Sequence, residues 1–230
     1  VAQREVLERF GPGPFHIEMS VEVPNTKNPS IRHLHQIVVV LAPLDSMPAN
    51  LYLFLNQLQL GVWDHASFLV QDDRMLQANL GKTRKRLRDS RLPEDMVFME
   101  EDENFNHDRM TLGFNPAGPN LFFNKMYNKR FFEGNQMQYP CIGKVLLGKE
   151  FVIDMFHGPS DTTSKQKLIY PTILRGMRRI TNLFEEYPKV KEMFLNGQVT
   201  EEEPEAVKRS STRRESGRRS KTEEEEEERR

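Results

Sequence analysis

The sequence has a single cysteine, Cys141, among its 230 residues. One thiol cannot form an internal disulfide, and it cannot supply the thiolates of a structural zinc site. A lone free cysteine is most often a small buried apolar residue. The sequence therefore excludes a disulfide-stabilised scaffold and a thiolate metal centre, and we expect neither metal nor cofactor.

Long apolar runs and net charge are also lacking. The longest apolar run, Ile37 to Ala42, is far shorter than the roughly 20 residues of a membrane-spanning helix. The 33 lysines and arginines nearly balance 34 aspartates and glutamates, which favours neither nucleic acid nor membrane as the main partner. We expect a soluble monomer without a membrane span. No signal peptide is visible, and the compartment is left open: a cytoplasmic or nuclear location is slightly favoured, and the secretory compartment is the alternative if a leader was removed.

The C-terminal end has few large apolar side chains. From Glu201 to Arg230 only Val207 is large and apolar, so the segment cannot offset its ordering entropy by burial. The size of the remainder predicts one domain. The expected organisation is an N-terminal extension (1–14), a domain (15–178) with a charged insertion (79–108), a C-terminal helix (179–198) and a disordered mixed-charge tail (199–230).

Period-two alternation of apolar and polar side chains is what the chain does have. Residues 15–23 alternate in this way, and the β-branched run 36–41 follows after a polar turn, which predicts a hairpin of two strands. Other short apolar runs predict more strands, at Ala66–Val70, Arg74–Ala78, Met110–Phe114, Leu121–Asn124, Ile142–Leu147 and Ile169–Leu174.

Three helices are predicted among these strands. Ser46 and Pro48 suit a helix cap and a first-turn proline, and Gly61 suits the end of that helix. The other two helices are expected at Lys149–Phe156 and Thr181–Asn196. Many strands with few intervening helices favour a mainly β class with a closed or sandwiched antiparallel sheet.

The pattern breaks between Leu80 and Arg109. A long exposed insertion in a compact domain is commonly functional. It could be a solvated loop, or its basic cluster could bind an anionic partner. The basic cluster comprises Lys82, Arg84, Lys85, Arg86, Arg88 and Arg91, and acidic residues follow it from Glu100 to Glu103.

Four segments together resemble the cyclophilins. They occur in the family's order over roughly residues 15–175, although each alone would be a weak signal. They are Val38–Asn50 with the Gly61-Val62-Trp63-Asp64 turn, Phe68–Gln77 ending in Met75-Leu76-Gln77, Gly118–Phe123, and Ile142-Gly143-Lys144-Val145 with Gly148 and Val152.

The resemblance implies a closed eight-stranded antiparallel barrel capped by two helices, with a C-terminal helix added. It also implies an outer groove that binds proline-containing peptide and catalyses cis/trans isomerisation of the X-Pro bond. In the family, an arginine donates a hydrogen bond toward the prolyl nitrogen, an apolar pocket holds the ring, and a glutamine fixes the neighbouring carbonyl.

Residue by residue, the resemblance places Gln77 at the glutamine and Val70 at the arginine. Arg74 is a displaced donor candidate for the catalytic role. The substrate-binding candidates are Met75, Gly113, Phe122 and Tyr139, of which Tyr139 occupies the groove histidine's place. Gly134 falls near the place of the groove tryptophan.

Two functions remain open from the sequence. One is a peptidyl-prolyl isomerase with weak or impaired activity, because valine cannot donate the hydrogen bond that arginine supplies. The other is a non-catalytic interaction module that uses the same groove and the charged insertion. Met75 and Phe122 would by themselves be ordinary core residues, and Gln77 is the best single site candidate because a buried amide needs a partner.

Overall fold

Eight strands form the centre of the molecule. The computed structural model describes residues 1–25, 27–80, 84–89, 92, 98–115, 120–134, 139–161 and 166–196. The strands are β1 (His16–Pro24), β2 (Arg32–Leu41), β3 (Ser67–Gln71), β4 (Met75–Asn79), β5 (Thr111–Asn115), β6 (Asn120–Asn124), β7 (Cys141–Leu147) and β8 (Lys167–Ile180).

The strands close into a barrel in the order β1-β2-β7-β5-β6-β4-β3-β8, and every neighbouring pair is antiparallel. Closure leaves no sheet edge around the ring. The predicted closed eight-stranded antiparallel barrel is confirmed.

Alternation along the strands builds the core. In β1 the side chains of Ile17, Met19 and Val21 are buried, and in β2 those of Ile37 and Val39 lie opposite them. Because successive side chains of a strand point to opposite faces, these positions define the inside of the barrel. The same period-two pattern had predicted both strands.

Two helices add side chains to this core. Helix α2 (Pro48–Gln59) contributes Leu51 and Phe54, and helix α5 (Lys149–Phe156) contributes Val152. Both helices were predicted, with Pro48 in the first turn of α2.

The predicted cap of α2 was wrong. The residue before Pro48 is Met47, which makes no side-chain cap. Ser46 Oγ instead donates to Asp102 Oδ2 at 2.6 Å. The Glu100 carboxylate accepts from the backbone N–H groups of Ala49 and Asn50 at 2.8–3.1 Å, and so caps the helix from a distant segment.

The acidic part of the insertion is docked on the barrel rather than fully exposed. Phe98 and Phe105 pack against the core, and Glu100 is held at the start of α2. In the basic part, the structure describes a short helix α3 (Arg84–Asp89), on which Lys85 and Arg88 are exposed. Lys82, Arg91 and the side chains of Arg84 and Arg86 lie outside what is described.

Further helices were not predicted or differ from prediction. They are α1 (Ala2–Phe10), α4 (Lys129–Gly134), α6 (Leu183–Glu186) and α7 (Pro188–Leu195). A single terminal helix had been expected, but β8 continues to Ile180 and the helix is interrupted before Pro188. Proline disfavours helical geometry in the preceding residue, and Tyr187 has φ −132° and ψ 75°.

The chain divides into two units, Val1–Val190 and Lys191–Arg230. The first contains the whole barrel. Of the second, the structure describes residues 191–196, which are the end of α7 and one residue beyond it. The predicted disordered tail lies outside the described residues. None of the described helices is long and apolar enough to span a bilayer.

Candidate functional site

Four strands place one residue each in a row across the barrel. Val70 of β3 pairs with Gln77 of β4, Gln77 pairs with Phe122 of β6, and Phe122 pairs with Gly113 of β5. Phe68 pairs with Ala78, so Leu69 is an extra residue that forms a bulge between Phe68 and Val70. The bulge brings Val70 directly opposite Gln77.

This row faces outward. The residues flanking Phe122, Leu121 and Phe123, belong to the interior core, as do Leu76 and Ala78 on either side of Gln77. Alternation therefore turns Phe122, Gln77 and Met75 to the outside. We call the outward-facing residues Val70, Met75, Gln77, Gly113 and Phe122 the outer wall.

The Phe122 ring lies flat on Gly113. A Cβ atom at position 113 would come within 2.0 Å of Phe122 Cζ, so only glycine fits beneath the ring. The predicted candidates Gly113 and Phe122 are thus in direct contact, and the absence of a side chain at one sets the position of the other.

Three rings cover Phe122 from outside. The ring centroids of His107, Phe132 and Tyr139 lie 5.9, 5.6 and 6.1 Å from that of Phe122. We call these three the aromatic cover. As a result Phe122 is only 2% exposed, and a proline ring could lie on its face only if one of the covering rings moved.

Buried polar groups hold the cover in place. His107 Nε2 donates to the Tyr139 carbonyl at 2.7 Å, and Asn124 Nδ2 donates to His107 Nδ1 at 3.1 Å. Asn124 also bonds to Thr111 Oγ1 at 2.9 Å, and its carbonyl accepts from Asn128 Nδ2 at 2.8 Å. The pKa of His107 is lowered to about 4, because the effect of burial outweighs that of the hydrogen bond to Tyr139, which raises the pKa. The imidazole is therefore neutral.

Gln77 is partly exposed, as is Met75. Among the described residues, none hydrogen-bonds to the Gln77 side-chain amide. Its oxygen and its two N–H groups can therefore bond to an extended peptide laid along the wall.

Arg74 is not placed with Gln77 and Val70. It lies in the turn before β4, and its guanidinium carbon sits 4.4 Å above the centre of the Phe131 ring on α4. The sequence makes it a candidate donor for catalysis, and the structure places it at the edge of the wall, beside α4.

Cys141 continues the row beyond Gly113. Burial raises the pKa of its thiol to about 12, and the thiol donates to the Asn106 carbonyl at 3.1 Å. It is the small buried residue that the sequence predicted. Trp63, expected to be a packing residue, is likewise buried and makes an edge contact with Phe114.

Sequence reasoning missed most of the cover. Of its three rings, Tyr139 was named as a site candidate, whereas His107 and Phe132 were not. Gly134 ends α4, and the aromatic side chains near the expected tryptophan position are Phe131 and Phe132. The adjacent Phe131-Phe132 pair was the available signal, although its helix is too short to show periodicity. The described residues contain no group of three or more potential metal ligands.

No protein-family model matches the chain, and no curated protein matches its sequence. Solved structures do match. A cyclophilin-type peptidyl-prolyl cis-trans isomerase from Cryptosporidium parvum, determined in the presence of the dipeptide Ala-Pro, has a TM-score of 0.50 and 16% identity, covering 71% of this chain and 99% of that one. The Mimivirus cyclophilin has a TM-score of 0.48 and 14% identity, covering 76% and 93%. A cyclophilin from Hirschia baltica has a TM-score of 0.44 and 13% identity, covering 78% of this chain and 80% of that one.

The match to the Cryptosporidium parvum structure extends over nearly all of that protein. At 16% identity, this match shows a shared fold. The barrel described above is therefore a divergent cyclophilin fold, as the order of the sequence segments had predicted.

Proposed function

We propose that this cyclophilin-fold domain binds proline-containing segments of peptide or protein on its outer wall, and that it isomerises the X-Pro bond weakly or not at all. One observation carries the proposal. Val70 lies directly across from Gln77 on the outer wall, where the resemblance expects the arginine.

The physical reason is the nature of the barrier. Amide resonance sets a rotation barrier of ~18 to 20 kcal/mol, and a catalyst must stabilise the twisted amide more than the planar one. A donor directed at the prolyl nitrogen does so because the nitrogen lone pair localises as resonance breaks. Val70 has no donor, and loss of one preorganised donor typically costs ~100- to 1000-fold in rate.

Two features support binding. The Gln77 amide is partly exposed and lacks a partner among the described residues. Met75 lies beside it on the same face of β4, two residues away. An exposed amide next to an apolar side chain suits a peptide that presents a backbone carbonyl and a proline ring.

The test is a coupled isomerase assay on a short Ala-Pro peptide, with the wild type, Val70→Arg and the matched control Val70→Leu. We expect little or no acceleration by the wild type and by Val70→Leu, and a gain of ~100-fold or more with Val70→Arg. Efficient catalysis by the wild type, with Val70→Arg having no effect, would contradict the proposal.

The aromatic cover favours a second candidate, a non-catalytic interaction module. With Phe122 only 2% exposed, the ring-binding face of the wall is closed. On this alternative Val70→Arg alone gains nothing, and the double variant Val70→Arg with Phe132→Leu gains nothing either. If the double variant is active while the single one is not, the site is an isomerase site that the cover blocks.

A further inference from the structure

Three hydrogen bonds fix the backbone of Arg74, an exposed residue in the turn before β4. Its backbone N–H donates to Asp72 Oδ1 at 2.7 Å, and its carbonyl accepts from Lys125 N at 2.8 Å and Asn128 Nδ2 at 2.9 Å. The backbone is thus bonded both to its own turn and to the segment that leads into α4. The side chain therefore starts from a fixed point.

The guanidinium is positioned as well. It stacks over Phe131 at 4.4 Å, and Phe131 is fixed by an edge contact with Phe132 of the aromatic cover, at 5.3 Å between centroids. Stacking on a ring orients a guanidinium while leaving its N–H edge free for an anion. Arg74 is thus an oriented cation at the border of the outer wall.

No described carboxylate forms an ion pair with Arg74. The nearest acid along the chain, Asp72, uses its carboxylate to accept the backbone N–H groups of Arg74 and Met75. Asp73 is exposed in the same turn, and on the other side Arg130 is exposed beside Phe131. The guanidinium is therefore exposed and has no ion-pair partner among the described residues.

The spacing fits a peptide on the wall. Arg74 lies three positions before Gln77, which is about 10 Å in extended chain. An extended ligand rises by a similar amount per residue. A peptide that runs along β4 with its proline beside Gln77 would present a side chain to Arg74 about three residues away.

We propose that Arg74, stacked on Phe131, is a specificity-determining residue that selects ligands with a carboxylate side chain about three residues from the proline. This inference rests on the proposed peptide binding at Gln77. It assigns to Arg74 the recognition of an acidic side chain in place of the catalytic role for which the sequence had made it a candidate.

The test is a peptide series titrated against the full chain by NMR. The peptides are identical except for Glu or Gln three residues before the proline, and Glu or Gln three residues after it. At one of these two positions, we expect the Glu peptide to bind roughly two- to fivefold tighter than the Gln peptide. This difference in affinity should shrink at high salt.

The protein variants locate the effect. Arg74→Gln should bring the Glu-to-Gln affinity ratio close to one, whereas Lys189→Gln, which removes a charge from exposed α7, should leave it unchanged. Phe131→Leu retains the charge of Arg74 but removes the stack, so it should lower the ratio part of the way. Long-range attraction alone would leave the ratio of Phe131→Leu intact.

The outcomes separate this inference from the function on which it rests. If the Gln peptides bind but Glu gives no advantage on either side, or if Arg74→Gln preserves the advantage, the role of Arg74 is refuted and peptide binding stands. If neither the Glu nor the Gln peptides bind to a folded wild type, both proposals fail.

Discussion

The imidazole of His107 is kept neutral by burial and by the Asn124 donor that faces its Nδ1. Its Nδ1 faces the Asn124 amide N–H, so a proton on Nδ1 would place two donors against each other. Its Nε2 already donates to the Tyr139 carbonyl. Protonation therefore requires the cover and its network to rearrange, which agrees with a pKa lowered to about 4.

This residue predicts a pH dependence of stability. The folded pKa of His107 is about 4, below the ordinary histidine value of 6.5. As pH falls below 6.5 the unfolded chain takes up a proton that the folded chain does not, so stability is lost between about pH 6.5 and 4. We expect a contribution of about 1 kcal/mol per pH unit, and it should be absent in His107→Gln. Urea unfolding at several pH values measures it.

Burial also lowers the pKa values of His16 and His35. The pH dependence of wild-type stability therefore includes contributions from these histidines as well as from His107. The comparison that isolates His107 is with His157→Gln, a change at an exposed histidine. If His107→Gln and His157→Gln give the same slope as the wild type, the buried network does not control protonation.

At the scale of elements, local pattern determined what could be predicted. The strands were found because one side of each faces a single core, which imposes period-two alternation. Helix α4 was not found because its six residues, Lys129–Gly134, are too few to show a helical period. The break between α6 and α7 could have been read from Pro188, since proline restricts the residue before it.

The candidate site was only partly accessible from sequence for a related reason. Gln77, Phe122 and Gly113 share a wall because of strand register, and the resemblance and alternation identify such positions. The aromatic cover joins segments that are far apart in sequence, since His107 follows the insertion and Phe132 lies on α4. Tertiary packing brings the centroids of these two rings to 4.1 Å, and no local sequence pattern predicts this contact.

The cap of α2 by Glu100 gives a prediction at this scale. The carboxylate accepts three N–H groups, from the backbones of Ala49 and Asn50 and from Asn50 Nδ2 at 2.9 Å. A negative charge at a helix N-terminus is stabilising, so Glu100→Gln should lower the free energy of unfolding by about 1 kcal/mol. Denaturant unfolding measures the loss, which should shrink at high salt. Glu101→Gln, at the exposed neighbouring position, should be neutral, and an equal loss in both variants would argue against the cap.

At the scale of the whole molecule, the barrel carries apolar clusters on both sides of one sheet region. The main core lies inside. A second cluster lies outside, where Leu183 and Val190 of the C-terminal helices cover Val38 and Ile180. Glu18 on the same outer face bonds to Arg178 at 2.6 Å and to the hydroxyl of Tyr187. The C-terminal helices are thus attached by both apolar and charged contacts.

These contacts predict that the segment up to Val190 unfolds together with the barrel. Trp63 is the only tryptophan and is buried in the main core, so its fluorescence reports on the inside of the barrel. Val190 is fully buried, and Val190→Ala should cost about 1 to 3 kcal/mol through lost burial and the cavity left behind. In a cooperative domain the Trp63 transition shifts by the whole amount and coincides with loss of far-UV circular dichroism.

Lys189→Ala, at the exposed neighbouring position, should shift neither signal. If Val190→Ala leaves the Trp63 midpoint unchanged, the C-terminal helices detach before the barrel opens, and the two clusters do not form one cooperative unit.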